Sequence, residues 1–197
     1  MQQHNLLLVE KASEVAAMAH AGQVRKSSGE PYITHPEAVA AILRNYGTNE
    51  ETIAAAMLHD VLEDCSDVYS QQDMERDFSH HIVELVLWVS EDKAGTDGRP
   101  IPWSARKESY IANLEHAPDE ALLVSMADKI HNLESVLGGY VQIGDKVWSN
   151  FKSTPQQQLW YYGTLTKLFS SRFGAENQLV RRLAASCDRL MMILPTE

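Results

Sequence analysis

The chain has 197 residues, 44% hydrophobic and 22% charged, enough apolar material for one substantial core; a disordered tail, a collagen-like fibre and a disulfide-stapled miniprotein are excluded. Lys and Arg number 17 against 27 Asp and Glu, a net charge of −10, so no broad cationic face is available to hold a nucleic-acid polymer. No apolar run approaches the roughly 20 residues of a membrane helix, and charges break the N-terminal apolar stretch too early for a signal peptide. A soluble, cytoplasmic protein is expected, and Cys65 and Cys187, far apart and outside any CxxC pair, suit a reducing compartment.

Periodic apolar positions dominate and alternating β-branched runs are almost absent, which predicts an all-α bundle of roughly eight to ten helices. Leu8, Ala12, Val15 and Ala19 mark a first helix over about 5–21. GQVRKSSGEPYITHP follows as a loop, and Pro36 suits the first position of a helix reaching Tyr46. A third helix from about Asn49 carries ETIAAAMLHDVLED without a break, and helical regions follow around 67–77 and 79–90. EDKAGTDGRPIPW is a polar loop able to reach over a site, not a domain linker. Helices resume over about 104–115, from Pro118 to Leu137 with Gly138 and Gly139 as the stop, and from near Pro155 and Glu176. The expectation is one domain over 1–197, with a motif-bearing core at about 5–137 and C-terminal helices at about 140–197 completing it.

Function is sought where charge interrupts apolar faces. His59 and Asp60 sit in a helix that is apolar on nearly every side, and Asp128 lies on the face of Ala121 and Val124. An ionised carboxylate there is costly without a partner or a metal. A lone His-Asp doublet is equally a satisfied core hydrogen bond. Together with His35 before Pro36, the imidazole and carboxylate set suits a divalent transition metal such as Mn, Fe or Zn. Glu63 and Asp64, four residues after His59 and Asp60, share their faces and offer the proton-transfer groups that hydrolysis needs. Arg25, Lys26 and Ser27 form a basic loop segment that suits a phosphate clamp, and Asn132 lies one turn after Asp128. Lys129 and His131 point elsewhere by spacing, toward solvent or the site's outer edge. Arg99, Arg106 and Lys107 add positive charge nearby. His80, His81 and Glu84 read as a helix surface, and Trp160, Tyr161 and Tyr162 as core before a base-stacking wall.

Three separated segments, AHAGQVRKSSGEPYITHPEAVAAIL, AAAMLHDVLED and LLVSMADKIHNL, occur in an order that resembles the hydrolase domain of the RelA/SpoT homologue family. The resemblance spans about residues 5–137 and is greatest to the stand-alone small alarmone hydrolases. It implies an HD-type, Mn²⁺-dependent enzyme, with one ion per chain. Such an enzyme removes the 3'-pyrophosphate of guanosine 3'-diphosphate 5'-di- or triphosphate. Carried over, the HP motif gives His35, the HD motif His59 and Asp60, and the ADK motif Asp128 as metal ligands. Glu63 and Asp64 match the catalytic acidic pair. Arg25, Lys26, Ser27, Lys129 and Asn132 match nucleotide-contacting positions. The stretch after Leu137 matches loosely, and Tyr161 or Tyr162 is expected to face the nucleoside. The implied partner is a small nucleotide, with no nucleic-acid polymer and no membrane. The base stays open: an adenosine 3'-pyrophosphate, or NADPH losing its 2'-phosphate, are the alternatives, as is a non-catalytic nucleotide-binding protein.

Overall fold

The computed structural model describes residues 2–25 and 29–195, with side chains from Leu7 onward. Lys26 and Ser27 lie outside the described residues. The described chain is all-α, with only two isolated β-bridges beside its helices. These are α1 (Gln2–Ala19), α2 (Thr34–Tyr46), α3 (Glu50–Leu58), α4 (Val61–Asp64), α5 (Gln71–Asp77), α6 (His80–Val89), α7 (Trp103–Leu114) and α8 (Asp119–Ile143). A 3-10 helix (Gly144–Asn150), α9 (Pro155–Phe173) and α10 (Gln178–Met192) follow. No described helix is long and apolar enough to cross a membrane.

The helix ends are written locally. Asn49 accepts from the Thr52 N–H to open α3, and Ser70 and Asp73 form a reciprocal capping box that starts α5. Thr154 and Gln157 do the same for α9, with Pro155 in its first turn. Gly47 closes α2 at φ 92°, a left-handed position that a residue with a Cβ adopts only at a cost.

Two helices are buried around most of their circumference and therefore form the centre. In α3 every residue from Thr52 to Leu58 is buried, and in α8 every residue from Ala121 to Ile130. α3 packs against α1, α2, α6 and α8, and α8 also meets α9 and α10. Ala12 and Ala16 of α1 and Ala54, Ala55 and Ala56 of α3 are fully buried, small residues that let helices approach closely. Leu165, Phe169, Leu183 and Leu190 from the last two helices join the same apolar cluster as Val9 and Leu43. Any charged side chain at the end of α3 or the middle of α8 is thereby forced into low-dielectric surroundings.

Three local expectations change. The helix read through ETIAAAMLHDVLED breaks at His59–Asp60, where Asp60 sits at the edge of the right-handed helical region, φ −93°, ψ −8°. The Asp64 N–H still reaches the Asp60 carbonyl at 2.9 Å, so the chain makes another helical turn after the break. Gly138 and Gly139 do not stop α8, which runs on to Ile143. A Cβ on Gly139 would stand 3.1 Å from Val147 Cγ2, so this glycine makes room for the 3-10 helix folding back on α8. In the 67–77 region the helix begins only at Gln71, because Ser70 caps it there.

Candidate metal centre and active site

His35 enters from the first turn of α2, His59 from the end of α3, Asp60 from the turn after it and Asp128 from the middle of α8. His35 Nε2 lies 3.0 Å from Asp128 Oδ1 and 3.4 Å from Asp60 Oδ2. His59 Nε2 lies 3.2 Å from Asp60 Oδ2 and 3.6 Å from Asp128 Oδ1. Ligand atoms of His35, His59 and Asp128 all fall within 4.8 Å of one another. The two imidazoles are 1% and 3% exposed, so this is a core cluster and not a surface one.

The donor chemistry fits a divalent cation. His59 Nδ1–H donates to the Ala56 carbonyl at 2.8 Å, which leaves Nε2 as the neutral ring's lone-pair nitrogen, and that buried Nε2 has no hydrogen-bond partner. His35 Nδ1 is 2.7 Å from His131 Nδ1. Burial, His35 and Arg25 push His131 down to about 4, so it is uncharged at neutral pH, and the tautomer with the shared proton on His35 Nδ1 leaves that ring's Nε2 bare toward the cluster. Burial also lowers His35. Burial opposes charge on His59, but Asp60 and Asp128 outweigh it and lift this group well above its ordinary value. Against the cost of burial, His59 and then His35 hold Asp60 well below the usual carboxylate range. Lys129, followed by the two imidazoles, does the same for Asp128. Two buried anions thus draw positive charge to the point that the two Nε2 atoms face, a charge that a proton on His59 or, in its place, a divalent cation can supply, the arrangement of a borderline-metal site.

Glu63 and Asp64 flank this cluster on α4, at side-chain exposures of 18% and 27%. Glu63 Oε2 accepts the Glu91 backbone N–H at 3.1 Å, and burial, then Asp60, raises its carboxyl. Lys93 pairs with both acids, standing 3.2 Å from Glu63 Oε1 and contacting Asp64 Oδ1. Lys93 belongs to the loop of residues 90–102, folded as a short hairpin by the Ala94–Pro100 bridge. The hairpin is anchored by Glu91, whose carboxylate holds Arg106 and Lys107 of α7. A cleft of about 370 Å³ opens beside Glu63, lined by Gln71, Ser90, Asp92 and Lys93 among others.

On the other side, Arg25 Nη2 donates to Asn132 Oδ1 at 3.1 Å, and Asn132 Nδ2 donates to Asp128 Oδ1. The Arg25 segment is pinned by the Val24–Pro31 bridge and by its N–H on the Glu30 carbonyl at 2.8 Å. Arg25, Thr34, His131, Ser135 and the Gly138–Gly139 pair line a groove of about 210 Å³. Lys129 departs from its expected outward direction: it is 8% exposed, bonded to Asp128, with Nζ 4.8 Å from the Tyr110 ring centroid. α8 is buried on every side over this stretch, so the face that spacing assigns to solvent has none to meet. Tyr161 is 3% exposed among Trp103, Tyr110 and Tyr162, with Lys107 4.8 Å from its ring centroid and its buried hydroxyl unpaired. Arg99 stands away on the hairpin, 87% exposed, and His80 and His81 lie at the surface beside Glu84 and Glu120. Sequence pattern missed Tyr32, Glu91 and Lys93; Tyr32 donates to Asp60 Oδ2 at 2.7 Å.

The chain is similar to known proteins over much of its length. Over 129 residues, 62% of the chain, it is 41% identical to the bifunctional (p)ppGpp synthase/hydrolase SpoT of Escherichia coli K12, of which the match covers 17%. A probable GTP pyrophosphokinase of Mycobacterium leprae is 36% identical over 133 residues, 67% of this chain and 16% of that protein. The chain therefore spans less than a fifth of these relatives' length. Among solved structures, a metazoan ortholog of SpoT that hydrolyses ppGpp superposes with a TM-score of 0.73 at 26% identity, covering 92% of this chain and 94% of that one. A Listeria monocytogenes protein gives 0.69 at 28% identity, with coverages of 80% and 99%. The HD domain family profile matches residues 12–149, a span that holds His35, the His59–Asp60 doublet and Asp128, and the chain belongs to the HD domain family.

Proposed function

We propose that this chain is a Mn²⁺-dependent hydrolase that removes the 3'-pyrophosphate of guanosine 3'-diphosphate 5'-di- or triphosphate. The observation that carries the reading is the convergence of His35, His59, Asp60 and Asp128 on one buried point, with Glu63 and Asp64 at its rim. When bound, the ion supplies Lewis acidity for phosphate-ester hydrolysis. The chain's own residues supply the rest. Glu63, its carboxyl raised by burial, is suited to hold a proton and deliver it to a leaving oxygen, and Asp64 beside it to accept one. Arg25, braced by Asn132, presents its guanidinium fork to phosphate at the edge of the groove that takes the nucleoside, and the family resemblance gives Lys26 and Ser27 the same phosphate-binding role. Lys129 serves by holding Asp128 in place, and Tyr161 by packing behind Lys107 and Lys129. The whole of 1–197 acts as one unit in this reading, because α9 and α10 complete the apolar wall behind α8.

Support for the guanine alarmone comes from the SpoT relatives and the ppGpp-hydrolysing structural neighbour. Purified protein with Mn²⁺ should release pyrophosphate and GDP from guanosine 3',5'-bis(diphosphate), faster than it turns over the adenosine counterpart or NADPH. Unchanged pyrophosphate release in both Asp60→Ala and Glu63→Ala would overturn the mechanism; turnover of only the adenosine substrate or NADPH would overturn the substrate.

A further inference from the structure

We infer that Tyr32 is a positioning residue of this centre, its hydroxyl tying the carboxylate of Asp60 to the acid Asp64. The inference rests on the metal-centre reading above, but not on which nucleotide the site takes. Tyr32 Oη donates to Asp60 Oδ2 at 2.7 Å and lies 3.4 Å from Asp64 Oδ2. The oxygen it holds is the one that faces both His35 and His59. The phenol therefore fixes which way the Asp60 carboxylate turns, and it does so from a ring that is itself gripped. His20 stacks on it with centroids 4.6 Å apart, and His35 meets its edge at 5.9 Å. The Arg25 guanidinium sits 5.7 Å from its centroid. The backbone is fixed too, since the Tyr32 N–H reaches the Gln23 carbonyl at 2.9 Å and its own carbonyl accepts the His35 N–H at 2.9 Å.

Hydrogen bonds to ligating groups orient them, and their loss typically costs 10–100-fold in metal affinity or activity. Tyr32→Phe removes the oxygen and keeps the ring on which His20 and Arg25 rest. Calorimetric titration of the EDTA-stripped protein with Mn²⁺, without nucleotide, should show binding about tenfold weaker. At saturating Mn²⁺, kcat should fall by about tenfold while KM stays within about twofold, because the Arg25 seat is intact. Tyr32→Leu, which removes that seat as well, should also raise KM. Asp60→Asn in the same titration separates the two levels of argument. Intact Mn²⁺ binding in Asp60→Asn would overturn the metal-centre reading itself. Weakened binding there, with wild-type affinity in Tyr32→Phe, would overturn the role given to Tyr32 and leave the centre standing. A Tyr32→Phe protein that melts early in EDTA yet binds Mn²⁺ as tightly as wild type would reduce Tyr32 to packing and equally overturn it.

Discussion

His59 is 3% exposed at the end of a helix buried from Thr52 onward, whereas Glu63, one turn further along the chain, leans on a surface hairpin through Glu91 and Lys93. The first region is over-determined: each ligand is fixed by its helix or, for Asp60, by the turn between α3 and α4, and by at least one further hydrogen bond or ion pair, from Ala56, His131, Tyr32 or Lys129. The second is held from its base by the buried side chain of Glu91 and at its outer side by the half-exposed Lys93, whose pairs with Glu63 and Asp64 contribute little to stability and exchange readily with solvent and ligands. The break at Asp60 marks the border between them. A centre that must hold a cation in one place benefits from core rigidity, and groups that must pass protons and release a polyanionic product benefit from a yielding edge.

The largest effect that would sharpen this contrast is expected on the rigid side. Asp60→Ala should remove Mn²⁺ binding and lower pyrophosphate release by about 10³-fold or more, the scale of several kcal/mol of transition-state stabilisation. A loss under about tenfold, measured chromatographically at saturating Mn²⁺, would mean Asp60 is no ligand. Next comes the yielding edge, where Glu63→Gln should cut kcat by about 10²–10³-fold through lost proton transfer. Its Mn²⁺ affinity should stay at the wild-type value, and a parallel fall in affinity would erase the distinction between the two regions.

The rigid side was also the legible side. α3 and α8 are apolar almost all round, so His59, Asp60 and Asp128 stood out as charges with nowhere wet to go. The all-α architecture followed from the same periodicity, because the buried faces repeat at helical spacing. What stayed hidden depends on contacts between distant segments. Tyr32 meets Asp60 across 28 positions, and Lys93 meets Asp64 across 29, with no local pattern to announce either. The break after Leu58 is a matter of one residue's backbone angles, which tertiary packing sets and propensity does not. Gly138 and Gly139 misled for a related reason: a glycine pair ordinarily ends a helix, but here one of them clears space for Val147. Lys129 shows the limit of face arithmetic, since a helical wheel presumes one wet side and α8 has none from Ala121 to Ile130.

A third test uses stability instead of rate. Mn²⁺ at about 100 times its dissociation constant should stabilise the folded protein by about 2.7 kcal/mol. For a chain of this size that is a rise in Tm of roughly 5–10 °C over the EDTA-treated protein. The rise should vanish in His59→Ala and persist in Glu63→Gln. A rise that persists in His59→Ala would place the cation elsewhere.

The smallest effect belongs to Lys93, and it bears most directly on how soft the edge is. Its side chain is 48% exposed, so screening leaves its pairing with Glu63 and Asp64 worth at most about 1 kcal/mol, and Lys93→Ala should move Tm by no more than a few degrees. The consequence for catalysis has a defined sign. Burial raises the Glu63 carboxyl and Lys93 pulls it back down, so removing the lysine lets it rise further. The limb of the kcat/KM profile that reports Glu63 should therefore shift to higher pH, by less than about 0.7 units if the pair is as weak as its exposure requires. Raising the salt concentration should shorten that difference between wild type and variant, since both charges reach solvent. A displacement of two units or more, insensitive to salt, would show that the hairpin seals Glu63 from water as firmly as α3 seals His59, and the border drawn at Asp60 would have to move outward to include residues 90–102.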